Sequence, residues 1–200
     1  MEMIQEHSDL SAYLAADEAV DHDHPFVLET ADALWTATGE DRAYAQVAFE
    51  FVRDTVAHSA DSGDQRVTWR ASDTLSTRNG ICLAKSHALA ALLRARGIPA
   101  ALCYQRLADD DTGTRHLLHG LIALRLPGTA RWSRLDPRGN KPGVDARFDL
   151  EHERLAFPVR PELGEADYPG LYAAPHPAAL KALRESADRT RLWENLPTAL

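Results

Sequence analysis

The sequence predicts an α+β fold in which helices come first and pack on an antiparallel sheet that follows. Three observations predict it. Apolar residues recur at helical spacing in the first half, as at Ala45, Ala48, Phe49, Val52 and Val56. After Gly97 and Pro99 the period changes, and short apolar runs alternate with turn-forming clusters such as "DDDTGT" and "PGTA". Strands gathered in the second half, instead of interleaved with helices, argue against alternating βαβ units.

Taken in order, Ser8 is placed to cap a short helix running to about Val20. "DHDHP" (Asp21 to Pro25) breaks it, and Pro25 suits the start of a second helix over Phe26 to Thr38 that stops at Gly39. The strong amphipathic helix follows within "EDRAYAQVAFEFVRDTVAHS", then a polar loop at Ala60 to Gln65. "ASDTLSTRNG" reads as a short helical turn ended by Asn79-Gly80, and Ile81 to Arg96 as a long helix. Three strands come next, at "AALCYQRLA", "HLLHGLIALRL" and "RWSRLD". Seven of the eleven prolines fall from Pro142 onward. One strand at "RLAFPV", a long covering loop and a helix near Pro177 to Asp188 are expected there.

These elements divide one expected domain, 1–200, into a helical part at 1–60, a core at 71–140 and a covering segment at 141–200. A formal charge of −8 argues against a general nucleic-acid binder or docking on anionic membranes. No apolar run approaches the roughly 20 residues of a membrane span, and the acidic N-terminus lacks signal-peptide features, so the cytoplasm is the expected compartment. The two cysteines, Cys82 and Cys103, make no disulfide framework and no Cys-x-x-Cys metal site. No cofactor or metal is expected.

Both cysteines lie within "TRNGICLAKSHALAALLRARGIPAALCYQ". A free thiol ionises at about pH 8.5, so a nucleophilic cysteine needs help. Cys82 opens a helix, where unpaired N–H groups and the positive dipole end favour thiolate. Gly80 permits a sharp turn there and leaves room for a substrate carbonyl, and the Cys82 N–H is a candidate oxyanion donor. Against this stands packing, the usual reason for a free cysteine on a helix. Cys103, in mid-strand, stays with packing.

A base and an orienting acid are required next. A hairpin turn centred on Gly128 pairs residues whose numbers sum to about 256, which sets His119 nearly opposite Asp136. A carboxylate there can hold an imidazole in one tautomer and stabilise its charged form. Each residue also has a structural reading, His119 as an interior histidine and Asp136 as the opening of a turn at Pro137. His116 falls near Gly139, away from any acid.

"NGICLAKSHALAALLRARGIPA", "HGLIAL" and "WSRLDPRGN" together resemble the core of the transglutaminase-like superfamily, whose members carry a Cys-His-Asp triad on a papain-like fold. The likeness covers Ala71 to Asn140. It extends through "VRD", "HS", "CYQRL", "RGNK" and "LWENLP" to a group of small bacterial transglutaminase-domain proteins. The resemblance implies a catalytic triad of Cys82, His119 and Asp136, and a thioester intermediate formed from a peptide or protein amide. Hydrolysis is favoured over amine transfer. A catalytically idle domain that binds a peptide or protein is the alternative. Leu83 and Leu121 stand where many relatives carry aromatics that shape the substrate channel. Trp69 and Gln65 are candidates for a second oxyanion donor.

Other polar residues have quieter readings. Lys85, a turn after Cys82, can support the thiolate but reads better as solvated or salt-bridged. His87 reads as packing or capping, and His58 as ending a helix. The side chains of "DHDH" cannot all converge on one ion. "DDDTG" lacks the pattern of a calcium loop. "RGNK" (Arg138 to Lys141) either lines the cleft, ready for a substrate carboxylate, or simply turns the chain.

Overall fold

The computed structural model describes all 200 residues, Met1–Leu200. Short strand β1 (Ile4–Gln5) leads to α1 (Pro25–Thr36), α2 (Asp41–Thr55), β2 (Ala57–His58), single-turn α3 (Ser59–Ser62), α4 (Ala71–Thr77), β3 (Asn79–Gly80) and α5 (Cys82–Arg94). Strands β4 (Ala100–Ala108), β5 (His116–Leu124), β6 (Ser133–Leu135), β7 (Ala166–Asp167) and β8 (Gly170–Leu171) follow. Helices α6 (Pro177–Glu185) and α7 (Arg189–Asn195) end the chain. The main sheet has the order β6-β5-β4-β7, antiparallel throughout, so the α+β expectation holds.

Helix α5 is the axis of the molecule. Every residue from Cys82 to Arg94 is buried, because α1, α2 and α4 cover one side and the sheet the other. A helix enclosed all round needs no polar face, which is why its sequence is apolar or small at nearly every position. Its polar members are consequently satisfied from within. Arg94 donates to the carbonyl oxygens of Ala15, Ala100 and Ala173, tying the start of β4 to two segments distant in sequence.

The helix meets the sheet at Gly120. A β-carbon there would stand 2.9 Å from Leu83 Cα and 2.7 Å from Leu83 Cδ2, so only glycine allows this approach. Gly80 is likewise a packing glycine. A β-carbon on it would crowd Thr68, Thr74 and Ala84, so the space it leaves is filled by the protein, not by a substrate as expected. The left-handed residue at the break before α5 is Arg78, at φ 50°.

Several elements differ from expectation. The N-terminal helix is only a 3-10 turn, Leu10–Leu14, and its cap is Asp9, which accepts from Ser11 N–H at 2.9 Å. Part of the 60–65 loop is the turn of α3. "RLAFPV" is not a strand: Ala156 N–H and Arg154 C=O are used by Asp136 and Arg147, leaving no ladder to join. The helix near Pro177 ends at Glu185, and α7, capped by Asp188, was not anticipated. No helix is long and apolar enough to cross a membrane.

Candidate active site

Two sequence-distant segments build the site. Parallel strands β2 and β3 pair Ala57 with Asn79 and His58 with Gly80, which delivers Cys82 to the first turn of α5 beside His58. Thr68 Oγ1 donates to Asn79 O at 2.9 Å and Asn79 Nδ2 to Arg66 O at 3.2 Å, fixing the segment ahead of the cysteine. On the sheet side, β6 pairs Ile122 with Leu135 and ends there, so the register sums to 257. Asp136 thus lies just past the strand end, close to where the hairpin estimate set it.

His119 Nε2 and Asp136 Oδ2 are 2.8 Å apart. Asp136, fully buried, also accepts from Arg138 N–H and Ala156 N–H, both at 3.1 Å. Three donors fix both carboxylate oxygens and, through them, the imidazole. The Phe157 and His119 rings pack in a T-shaped arrangement, centroids 5.4 Å apart and planes at 82°. Cys82 lies close enough to the ring for each to shift the other, the His119 charge lowering the thiol and the sulfur raising the imidazole. The Gly120 N–H, beyond the reach of β6, also favours the ionised sulfur.

The electrostatics follow. Burial pushes the Cys82 thiol up, but the His119 charge and the Gly120 N–H outweigh it and leave the thiol below its ordinary value. Burial depresses His119, yet Asp136 and the Cys82 sulfur raise it to about 10. Both directions favour a thiolate–imidazolium pair. Cys103 is the contrast. With the same burial and no such partner, its thiol is pushed up to about 12.

Cys82 and His119 keep 8 % and 5 % of their surface exposed, and it opens on a cavity of about 450 Å³. Leu107, Leu117, Phe157 and Trp193 form its apolar walls, and Arg138 its basic one. Arg138 is not free. Its guanidinium pairs with Asp61, which also takes Lys141 at 2.7 Å. Of "RGNK", therefore, Arg138 lines the cleft, while Asn140 brackets Ala146 through two hydrogen bonds.

Other expectations require correction. Lys85 is neither solvated nor salt-bridged. It is fully buried, and its ammonium donates to the carbonyl oxygens of Arg53 and Val56, closing the C-terminal end of α2. Leu83 and Leu121 are core residues, 1 % and 0 % exposed, and neither lines the cavity. Nor do Trp69 or Gln65, whose side chains lie elsewhere. His58 does not end a helix. It sits on β2, 6 % exposed, and borders the cavity; a two-residue strand has no periodicity by which the sequence could reveal this. In "DHDH", Asp21 accepts from Ser72, His22 meets Leu14 O and His24 caps α1. No group of three or more metal-ligating side chains converges anywhere.

The profile of the transglutaminase-like superfamily matches residues 29–137, more than half of the chain and a span that includes Cys82, His119 and Asp136. The chain belongs to the transglutaminase-like superfamily. No curated protein matches it. Among solved structures, a proposed cysteine protease from Cytophaga hutchinsonii is similar at 18 % identity and a TM-score of 0.50, over 66 % of this chain and 43 % of that one. The periplasmic domain of TgpA from Pseudomonas aeruginosa is similar at 21 % identity and a TM-score of 0.45, over 64 % and 47 %. This superfamily member thus spans less than half the length of either, and the first likeness supports the transglutaminase-like fold alone.

Proposed function

We propose that the protein is a thiol-dependent acyl-transfer enzyme acting on a peptide or protein amide, with Cys82 as nucleophile, His119 as acid and base, and Asp136 as its orienting partner. The observation that carries this reading is the Asp136–His119 hydrogen bond, with Cys82 on the wall of the same cavity as His119 and its thiol lowered by the His119 charge. The Cys82 thiolate forms a bond to the amide carbon, and the carbonyl electron pair moves to oxygen. As that pair returns, the C–N bond breaks and the His119 proton passes to the leaving amine. A thioester remains. Water then gives a proton to His119 and attacks the thioester, and the thiolate departs as a carboxylic acid is released.

Hydrolysis is the favoured outcome because water needs no subsite of its own. An amine acceptor would need an anionic one, and the acids at the cavity are already engaged. Glu165 is held by Arg160 and Ala108 N–H, and Asp109 by Trp193 and Arg115. The idle-domain alternative rested on the missing aromatics, and Leu83 and Leu121 lie in the core.

The test incubates the protein with a glutamine-peptide panel, with and without a primary amine, and weighs the products. New carboxylic acids support hydrolysis, and amine adducts redirect the reading to transfer. No product with any peptide, together with a Cys82 that alkylates only near pH 8.5 like a free thiol, overturns it.

A further inference from the structure

His58 plays no part in the steps above, yet it borders the same cavity as Cys82 and is 6 % exposed. Backbone N–H groups approach both of its ring nitrogens. Ala60 N lies 3.3 Å from Nδ1 and Cys82 N lies 3.2 Å from Nε2. A neutral imidazole has one lone pair in its plane and one N–H, so it can accept only one of the two. The ring is neutral, since burial first and the Arg138 charge next hold its pKa well below the ordinary value. One backbone N–H must therefore face a ring N–H.

The choice between them is chemical. Ala60 N–H belongs to the first turn of α3, where His58 is the N-cap and the acceptor that this N–H has. Cys82 N–H opens α5 at the cavity, where a substrate oxygen can serve it. Giving the lone pair to Ala60 places the proton on Nε2. Two N–H donors, one from the backbone and one from the ring, then face each other 3.2 Å apart beside the cavity with no acceptor for either. A negatively charged oxygen held by both resolves this arrangement.

We propose that His58 Nε2–H and the Cys82 N–H together form the oxyanion hole of this site, with α3 fixing the histidine tautomer that makes it possible. The inference rests on Cys82 being the nucleophile. When its sulfur bonds to the acyl carbon, the oxygen that gains the electron pair accepts both hydrogen bonds and returns the pair on collapse. His58 neither gains nor loses a proton. It also supplies the second donor that Trp69 and Gln65, away from the cavity, do not.

Two reagents for the same thiol separate this role from the nucleophile itself. Acylation by p-nitrophenyl acetate passes through an oxyanion, whereas alkylation by iodoacetamide does not. His58→Phe is expected to slow acylation roughly 10²-fold, mainly in kcat, and to leave alkylation within a few-fold. His58→Gln, which keeps an N–H donor, is expected to recover part of the loss. Equal acylation rates in His58→Phe and wild type overturn the proposal.

A measurement on the wild type needs no variant to fold. Long-range 1H–15N spectra read the His58 tautomer with and without a small peptide aldehyde, N-acetyl-glycyl-glycinal, whose adduct with Cys82 carries the oxygen. A proton on Nε2 in the adduct is expected, and a proton on Nδ1 there overturns the hole alone. A wild type whose alkylation lacks a depressed ionisation instead removes the nucleophile, and the hole with it.

Discussion

Gly120→Ala tests whether the α5–sheet contact sets the Cys82–His119 geometry. Gly120 has no positive φ, so alanine brings no backbone strain. It brings a β-carbon 2.9 Å from Leu83 Cα, 0.5 Å inside the 3.4 Å at which ordinary contact begins. The obstacle is backbone, so α5 and β5 must part by about that distance. Leu83 follows Cys82 and Gly120 follows His119, so the displacement falls between the sulfur and the imidazole. Overpacking of this kind costs about 1–3 kcal/mol of stability. A shift of this order at a reacting pair can remove as much as about 10²-fold in rate. Urea unfolding reads the first quantity, and Cys82 alkylation at pH 7 the second. Adding Leu83→Ala removes the clash with Cδ2 but not with Cα, so the double variant should recover little. Wild-type stability and wild-type alkylation in Gly120→Ala would refute this account of how the pair is held.

Iodoacetamide alkylation of Cys82 should follow an ionisation well below the roughly 8.5 of a free thiol, and His119→Ala should return it toward that value; pH-resolved mass spectrometry measures both. Cys82→Ala should abolish turnover in the peptide panel without unfolding the chain, as circular dichroism can verify. Asp136→Asn should lose less activity than His119→Ala. It should also lose about 1–3 kcal/mol in denaturant unfolding, because one amide oxygen must replace two carboxylate oxygens that face three donors. Lys85 is lowered to about 7 by burial first and by Arg138 next, against about 10.4 in an unfolded chain. The unfolded state then binds the extra proton between those values, so Lys85 makes stability rise with pH across that window. The stability of wild type minus Lys85→Met should therefore climb from pH 7 to 10, and a flat difference curve would refute the assignment.

The nearness of His119 to Asp136 was legible along the chain. The helix opened by Cys82, the switch of period after Gly97 and the turn at Gly128 together place His119 and Asp136 near each other. Regular elements announce themselves because their side chains repeat over many residues. Polar groups whose partners are main-chain atoms of another segment carry no such signal. Lys85 looked like a surface lysine until α2 was seen to end against it, and His58 like a helix terminus until β2 met β3.

By itself, then, the sequence determined the order of helices and strands, and which sulfur, imidazole and carboxylate had reason to meet. The tertiary structure alone decided what those groups feel. Burial that raises Cys103 to about 12 is overcome at Cys82 only because a charged ring and the Gly120 N–H arrive from β5. Local patterns fix local backbone, whereas a pKa or a hydrogen bond is set by whichever atoms folding brings within a few ångströms.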